Sequence, residues 1–275
     1  MATNPLQQYF RQPKIYIKLP SGGVFNKLGS LQGDVTNMPV YGMTGMDEII
    51  MKTPDALMSG EASVKVIQSC CPYIKDAWEL SNIDTDQVLA AIRIATYGNE
   101  IEVATKCKDC GADNEYSLEL SRLIEHFNLF KYINSVKIND LTIKMQPLSY
   151  RQSTDFNLRN YELQKQLQQA AAVEDDAEQK KLVNTIFVKL SDLQNEIFFS
   201  SIECVETATE TVTDRMFIKE WVSNCDKAIF DAIKNNFEEN RENLKAPPFV
   251  AKCESCGVDN EVNFNLDETN FFVNA

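Results

Sequence analysis

Histidine is nearly missing from this sequence: His126 is the sole one in 275 residues. Without a second imidazole, most acid–base and metallohydrolase designs lack their usual base. A helix is predicted for residues 121–132, with Glu125 next to His126, and residues one apart on a helix do not face each other. His126 is therefore read as packed or solvent-facing, and no catalytic residue is assigned. Positive charge is also scarce: 27 Lys and Arg stand against 40 Asp and Glu, a net charge of −13 with pI near 4.7. No segment concentrates the cations, so nucleic acid is a poor partner and other protein surfaces fit better. Long apolar runs are absent. None approaches the roughly 18 residues of a membrane span. The start, Met1 to Gln8, has no basic stretch leading into an apolar one, so no secretory signal is expected. The chain is expected to stay in the compartment where it is made. With 44% apolar and 24% charged residues it has the composition of a soluble globular protein.

Cysteine, by contrast, is plentiful. Eight cysteines without an export signal argue against a disulfide framework, because cytosolic thiols are kept reduced. Four of them form two C-x-x-C pairs inside a repeated decamer. From Lys106 the chain reads Lys-Cys-Lys-Asp-Cys-Gly-Ala-Asp-Asn-Glu, and from Lys252 Lys-Cys-Glu-Ser-Cys-Gly-Val-Asp-Asn-Glu. Two thiolates two residues apart grip one metal across a tight turn. Gly111 and Gly257 suit a positive φ there. Asp113-Asn114 and Asp259-Asn260 are read as turn residues before the chain leaves as a strand. Ile101, Val103 and Thr105 before the first knuckle alternate as a strand does, as do Tyr116, Leu118 and Leu120 after it. Phe249-Val250 precede the second, and Val262, Phe264 and Leu266 follow it.

One knuckle offers two ligands and structural zinc takes four, so Cys107, Cys110, Cys253 and Cys256 are predicted to share one structural Zn ion. Soft thiolates without a nearby histidine or carboxylate favour zinc over Mg, Ca or Mn, and the usual spacings of iron–sulfur ligands are absent. A redox pair would more often open a helix. A catalytic zinc keeps a position open for water, and four cysteines leave none.

Elsewhere, residues 14–19 alternate as a strand, and Pro20-Ser21-Gly22-Gly23 reads as a turn rather than a phosphate cradle, since no GKS/T follows. Helices are predicted at residues 44–51 and 60–71, with Pro54 in the first turn of a short helix between them. Cys70 and Cys71 are read as small core residues. A helix follows, capped by Asp84 with Gln87 and closed by Gly98. Residues 136–145 read as a hairpin about Asn139-Asp140. Two long helices, 150–172 and 179–199, form an antiparallel pair or one long helix. The second carries the stripe Leu182, Ile186, Leu190, Leu193 and Ile197. The acidic link 173–178 is read as a solvated turn. A short strand at residues 202–205 contains Cys204. Thr213 or Asp214 caps a helix through Trp221, Asp226 starts another, and Pro247-Pro248 returns the chain to the second knuckle.

Several strings carry a resemblance. Ile17-Lys18-Leu19-Pro20-Ser21-Gly22-Gly23, Met46-Asp47-Glu48-Ile49, Lys52-Thr53-Pro54-Asp55-Ala56-Leu57, Gly60-Glu61-Ala62 and Ile92-Arg93-Ile94-Ala95-Thr96-Tyr97-Gly98 running into C-x-x-C are similar to the baseplate hub assembly family of T-even-type contractile-tailed bacteriophages. The likeness covers roughly the first 120 residues and the second knuckle; the helical middle contributes little. It implies a structural or assembly role in the tail baseplate hub, with other tail and hub proteins as partners. It implies a location in the host cytoplasm during assembly or in the virion baseplate, and no enzyme activity. The expected fold is α+β, a mostly helical body inserted into a four-cysteine zinc-ribbon-like β element with a short N-terminal β segment. The expected divisions are residues 1–100, a discontinuous ribbon of 101–120 with 246–275, and a helical insertion, 121–245. Two other classes compete. One is a zinc-ribbon nucleic-acid-binding or regulatory protein; the other is an enzyme using Asp47 and Glu48, carboxylates that diverge on a helix.

Overall fold

A computed structural model describes residues 4–53, 56, 58–173, 175–262 and 272. The chain divides into two compact units, Met1–Lys131 with Leu244–Ala275, and Tyr132–Asn243. Along the sequence the second is an insertion in the first. The architecture is α+β, with helices between small antiparallel sheets.

In the first unit, β1 (Pro13–Ile17) pairs antiparallel with β2 (Met38–Tyr41). Helices α1 (Gly45–Met51), α2 (Glu61–Cys70) and α3 (Asn82–Tyr97) follow. Thr44 and Asp47 form a reciprocal capping box on α1, satisfying two orphan donors. Helix α3 is buried on most of its surface, from Ile83 and Val88 to Ile92 and Ala95, as its continuous apolar composition requires. It packs against β1, β2 and α4 (Ser121–Leu129). Between α3 and α4 runs the first hairpin, β3 (Glu100–Lys106) with β4 (Asp113–Glu119).

The second unit is a four-stranded antiparallel sheet of β5 (Ser135–Ile138), β6 (Leu141–Met145), β7 (Ile202–Glu206) and β8 (Thr211–Val212) in that order. Asn139 takes φ +52° in the β5–β6 turn, a conformation that asparagine tolerates. Helices α5 (Tyr150–Ala170) and α6 (Asp176–Ser200) intervene between β6 and β7; α7 (Arg215–Asn224) and α8 (Lys227–Leu244) follow β8. Ile143, Met145, Phe198, Ile202, Val205, Ile218, Val222 and Ile233 make its core. Its entry and exit are tied together. Asn240 accepts the Ile133 N–H at 2.8 Å, and the side-chain amides of Asn236 and Asn240 donate to the Ile133 carbonyl. The second hairpin, β9 (Phe249–Lys252) with β10 (Asp259–Val262), belongs to the first unit.

Most predicted elements are present, with instructive differences. Ser81, not Asp84, caps α3, because the Asp84 carboxylate is spent inside the fold. It accepts Ser21 N–H at 2.9 Å, Asn26 Nδ2 at 2.7 Å, Ser81 Oγ at 2.9 Å and the Ser21 hydroxyl. Asp113-Asn114 and Asp259-Asn260 begin strands rather than complete turns. Helix α4 stops at Leu129, where Phe130 turns extended, short of Tyr132. The 150–200 stretch is two helices, and Asp176 and Glu178 form the first turn of α6 beneath the Asp175 cap, where the helix dipole favours acid. In the α6 stripe Ile186 and Leu193 are buried while Leu182 remains 39% exposed. Strands β2 and β8 were not expected. The expectations for Pro54, Phe264 and Leu266 lie outside the described residues. Among those described, no helix is long and apolar enough to cross a membrane.

Removing the Asp84 carboxylate strands several buried donors, each worth about 1–3 kcal/mol when unsatisfied. Asp84→Ala is expected to destabilise the first unit by about 3 kcal/mol or more, read from the midpoint of urea unfolding.

Candidate metal centre

The two decamers fold alike. In the first, Cys107 N–H donates to the Ala112 carbonyl at 2.9 Å and Gly111 N–H to the Cys107 carbonyl at 2.9 Å. In the second, Cys253 N–H donates to Val258 at 2.9 Å and Gly257 N–H to Cys253 at 2.8 Å. Both glycines sit at φ +74°, left-handed backbone that strains any side chain. Each knuckle is thus a tight turn that aims two sulfurs from the tip of a hairpin. The leading cysteines are buried, Cys107 at 4% and Cys253 at 2% exposure, and the trailing Cys110 and Cys256 are exposed.

The four sulfurs converge. Cys107 Sγ lies 3.8 Å from Cys256 Sγ, and Cys110 Sγ 3.7 Å from Cys253 Sγ. All four ligand atoms fall within 4.8 Å of one another. These are not disulfide separations, which are about 2 Å. A tetrahedron with metal–sulfur bonds of about 2.3 Å has edges of about 3.8 Å, so the donor set fits one zinc-sized ion. The N–H of Cys256, helped by that of Ser255, holds the Cys253 thiol down at about 6. Cys256 receives a lowering backbone hydrogen bond from Val258, yet its contacts with the Cys110, Cys253 and Cys107 sulfurs push it up to about 12. One thiolate forms readily here; four without a cation would repel one another.

The other cysteines and acidic residues do not join this cluster. Cys70 and Cys71 are fully buried, and burial raises Cys70 to about 11 and Cys71 well above the usual thiol value, so both remain thiols. Asp47 is caught by Thr44, the Ser69 hydroxyl and Arg11, whereas Glu48 lies toward the Tyr97 side chain; the pair diverges. His126 is half-buried, with Nε2 at 3.4 Å from the Leu244 carbonyl. The Ser21 turn directs its N–H and hydroxyl to Asp84, and so reads as a turn. The second unit holds an open cleft of about 1140 Å³ between α6, α7 and α8. Of its charged lining, Glu196 pairs with Arg159 at 2.6 Å, Arg215 donates to the Ile202 carbonyl, and Lys227 pairs with Asp231 at 2.5 Å.

Two participants were not legible beforehand. Arg11 reaches the Gly42 and Ser69 carbonyls, both at 2.6 Å, and nothing in its local sequence marks it. Asn114 is buried and accepts the Glu254 N–H of the other knuckle at 3.0 Å. Its signal was present, since the same residue recurs as Asn260.

Fold and site together define a class: an α+β chain whose two distant hairpins are clasped by four cysteines around a possible metal site. The model of the family described as T4 bacteriophage base plate protein matches residues 43–273. The chain belongs to that family. The match includes the helical middle, where the sequence offered little likeness, and begins after the Pro20–Gly23 turn. No curated protein and no solved structure matches the chain.

At Gly111 and Gly257 nothing lies within 4 Å of where a Cβ would stand, so a substitution there costs backbone strain alone. Gly111→Ala is expected to cost about 1–2 kcal/mol, seen as a lowered Tm of the reduced protein with its metal content measured alongside.

Proposed function

We propose that the chain is a zinc-stabilised structural component or assembly factor of a phage tail baseplate hub, acting through protein–protein contacts. The carrying observation is the four-cysteine cluster in a chain of the base plate family. Cys107, Cys110, Cys253 and Cys256 would hold the ion, and with four protein ligands it would supply folding energy rather than an activated water. Structural zinc contributes on the order of 10–16 kcal/mol in small model systems, comparable to a domain's whole net stability of about 5–15 kcal/mol. The ribbon, residues 101–120 with 246–275, is therefore the part whose folding depends on the metal. No enzyme activity is assigned.

The competing reading, a nucleic-acid-binding ribbon, meets an electrostatic objection in the first hairpin. Its register puts Glu100 opposite Glu119, Glu102 opposite Ser117 and Ala104 opposite Glu115, all on the exposed face. Phosphates would be repelled there, as by the chain's net charge of −13. Phage tail proteins are the partners that the base plate family supports, and among them we propose hub proteins. The host cytoplasm during assembly and the tail baseplate are the expected locations.

Metal analysis of the reduced protein is expected to find one zinc per chain. Cys107→Ser and Cys256→Ser should each lose it, unfold the ribbon and block tail assembly in a complementation assay. A folded, zinc-free protein that supports normal assembly would overturn the reading. Mass spectrometry of purified virions beside infected-cell lysate then separates a retained component from a factor that leaves.

A further inference from the structure

One residue of the repeated decamer is used neither by the turn nor by sulfur ligation. Asn114 and Asn260 occupy the same place in the two knuckles, and both are almost wholly buried, at 3% and 4% exposure. A buried carboxamide needs partners for both its donor and its acceptor. Asn114 Nδ2 donates to the Ala112 carbonyl of its own knuckle at 3.0 Å. Its Oδ1 accepts the N–H of Glu254, the residue directly after Cys253, at 3.0 Å. The carboxamide is thus a strut from the carbonyl that closes one knuckle to the backbone beside a sulfur-bearing residue of the other. At Asn260 the Nδ2 is buried, with no partner among the described residues. Repeat equivalence names what belongs there: the Val258 carbonyl, which already accepts Cys253 N–H at 2.9 Å, and the N–H of Lys108 after Cys107.

We propose that Asn114 and Asn260 are reciprocal positioning residues of the four-thiolate site, each bridging its own knuckle to the N–H that follows the leading cysteine of the other. This rests on the metal-site reading above. The strut is in place at Asn114, and the one at Asn260 closes when an ion holds both knuckles in the same relation. The Asn114 strut sets the spacing between leading and trailing sulfurs of opposite knuckles before the ion arrives, and the Asn260 strut then locks it. Outer-shell hydrogen bonds of this kind typically contribute about 10–100-fold in metal affinity. A carboxamide that only filled space would alter stability and leave affinity unchanged.

The full chain, reduced, is titrated with Zn²⁺ against a chromophoric chelator, and with Co²⁺, whose visible spectrum reports tetrahedral thiolate coordination. Asn114→Ala and Asn260→Ala are each expected to weaken Zn²⁺ binding by about tenfold or more while the helical circular dichroism is unchanged. Asn114→Asp keeps an acceptor for Glu254 N–H and should bind more tightly than Asn114→Ala; it carries the comparison if the alanine variant does not fold. Wild-type affinity in Asn114→Ala, or in Asn114→Asp and Asn260→Ala together, overturns the proposal. Wild-type affinity in Asn260→Ala beside a weakened Asn114→Ala overturns its reciprocity. A wild-type chain that takes up neither ion overturns the metal site itself and the struts with it, so the wild-type titration distinguishes the two failures.

Discussion

Four thiols drawn from segments 143 and 149 residues apart meet within 4.8 Å, and the path of the chain between them answers to that meeting. Closing a loop of this length by a single covalent link would cost about 4–5 kcal/mol of chain entropy. The four-sulfur cluster does not stand alone against that cost. Ile133, near the start of the second unit, is hydrogen-bonded by Asn236 and Asn240, near its end. Folding the insertion therefore brings its own two ends together, and the effective loop that the hairpins close is much shorter than the sequence separation.

Buried side-chain oxygens tie distant segments together elsewhere in the first unit. Asp84 gathers donors from the Ser21 turn, Asn26 and Ser81, joining a loop to the start of α3. Asp47 closes the α1 cap and meets Arg11 at 3.4 Å, while Arg11 spans to Ser69. These acids were visible in the sequence as capping or catalytic candidates. Their geometry makes them structural: both Asp84 oxygens accept donors from a distant segment, and Asp47 Oδ2 takes Arg11 and the Ser69 hydroxyl. Membership of the base plate family implies phage tail proteins as partners.

Legibility followed the range of the interaction. Helices α2, α3, α5 and α6 could be read because their apolar spacing is local, and the α7 cap could be read because Asp214 sits beside the donors it satisfies. The cap of α3 was misplaced by three residues, since Ser81 and Asp84 are both plausible caps until Ser21 and Asn26 claim the carboxylate. Strand β2 was missed because Met38 to Tyr41 is short and contains Pro39; only its pairing with β1 makes it a strand. Asn114 and Asn260 were taken for turn residues on local chemistry; both are buried at the start of strands, and Asn114 accepts the Glu254 N–H of the opposite knuckle.

The sequence by itself determined which four cysteines come together, because the decamer occurs twice and its cysteines, glycines and asparagines keep the same intervals. It also determined the α+β class and the dearth of imidazole bases. Tertiary structure alone decided that leading and trailing cysteines pair crosswise between knuckles, at 3.8 and 3.7 Å, and that the Asn114 carboxamide bridges them. The reason is physical: periodicity and turn chemistry act over a few residues and are written locally. Which distant donor reaches a buried oxygen, or which sulfur faces which, depends on how separately formed hairpins are packed, and no short stretch of chain encodes that.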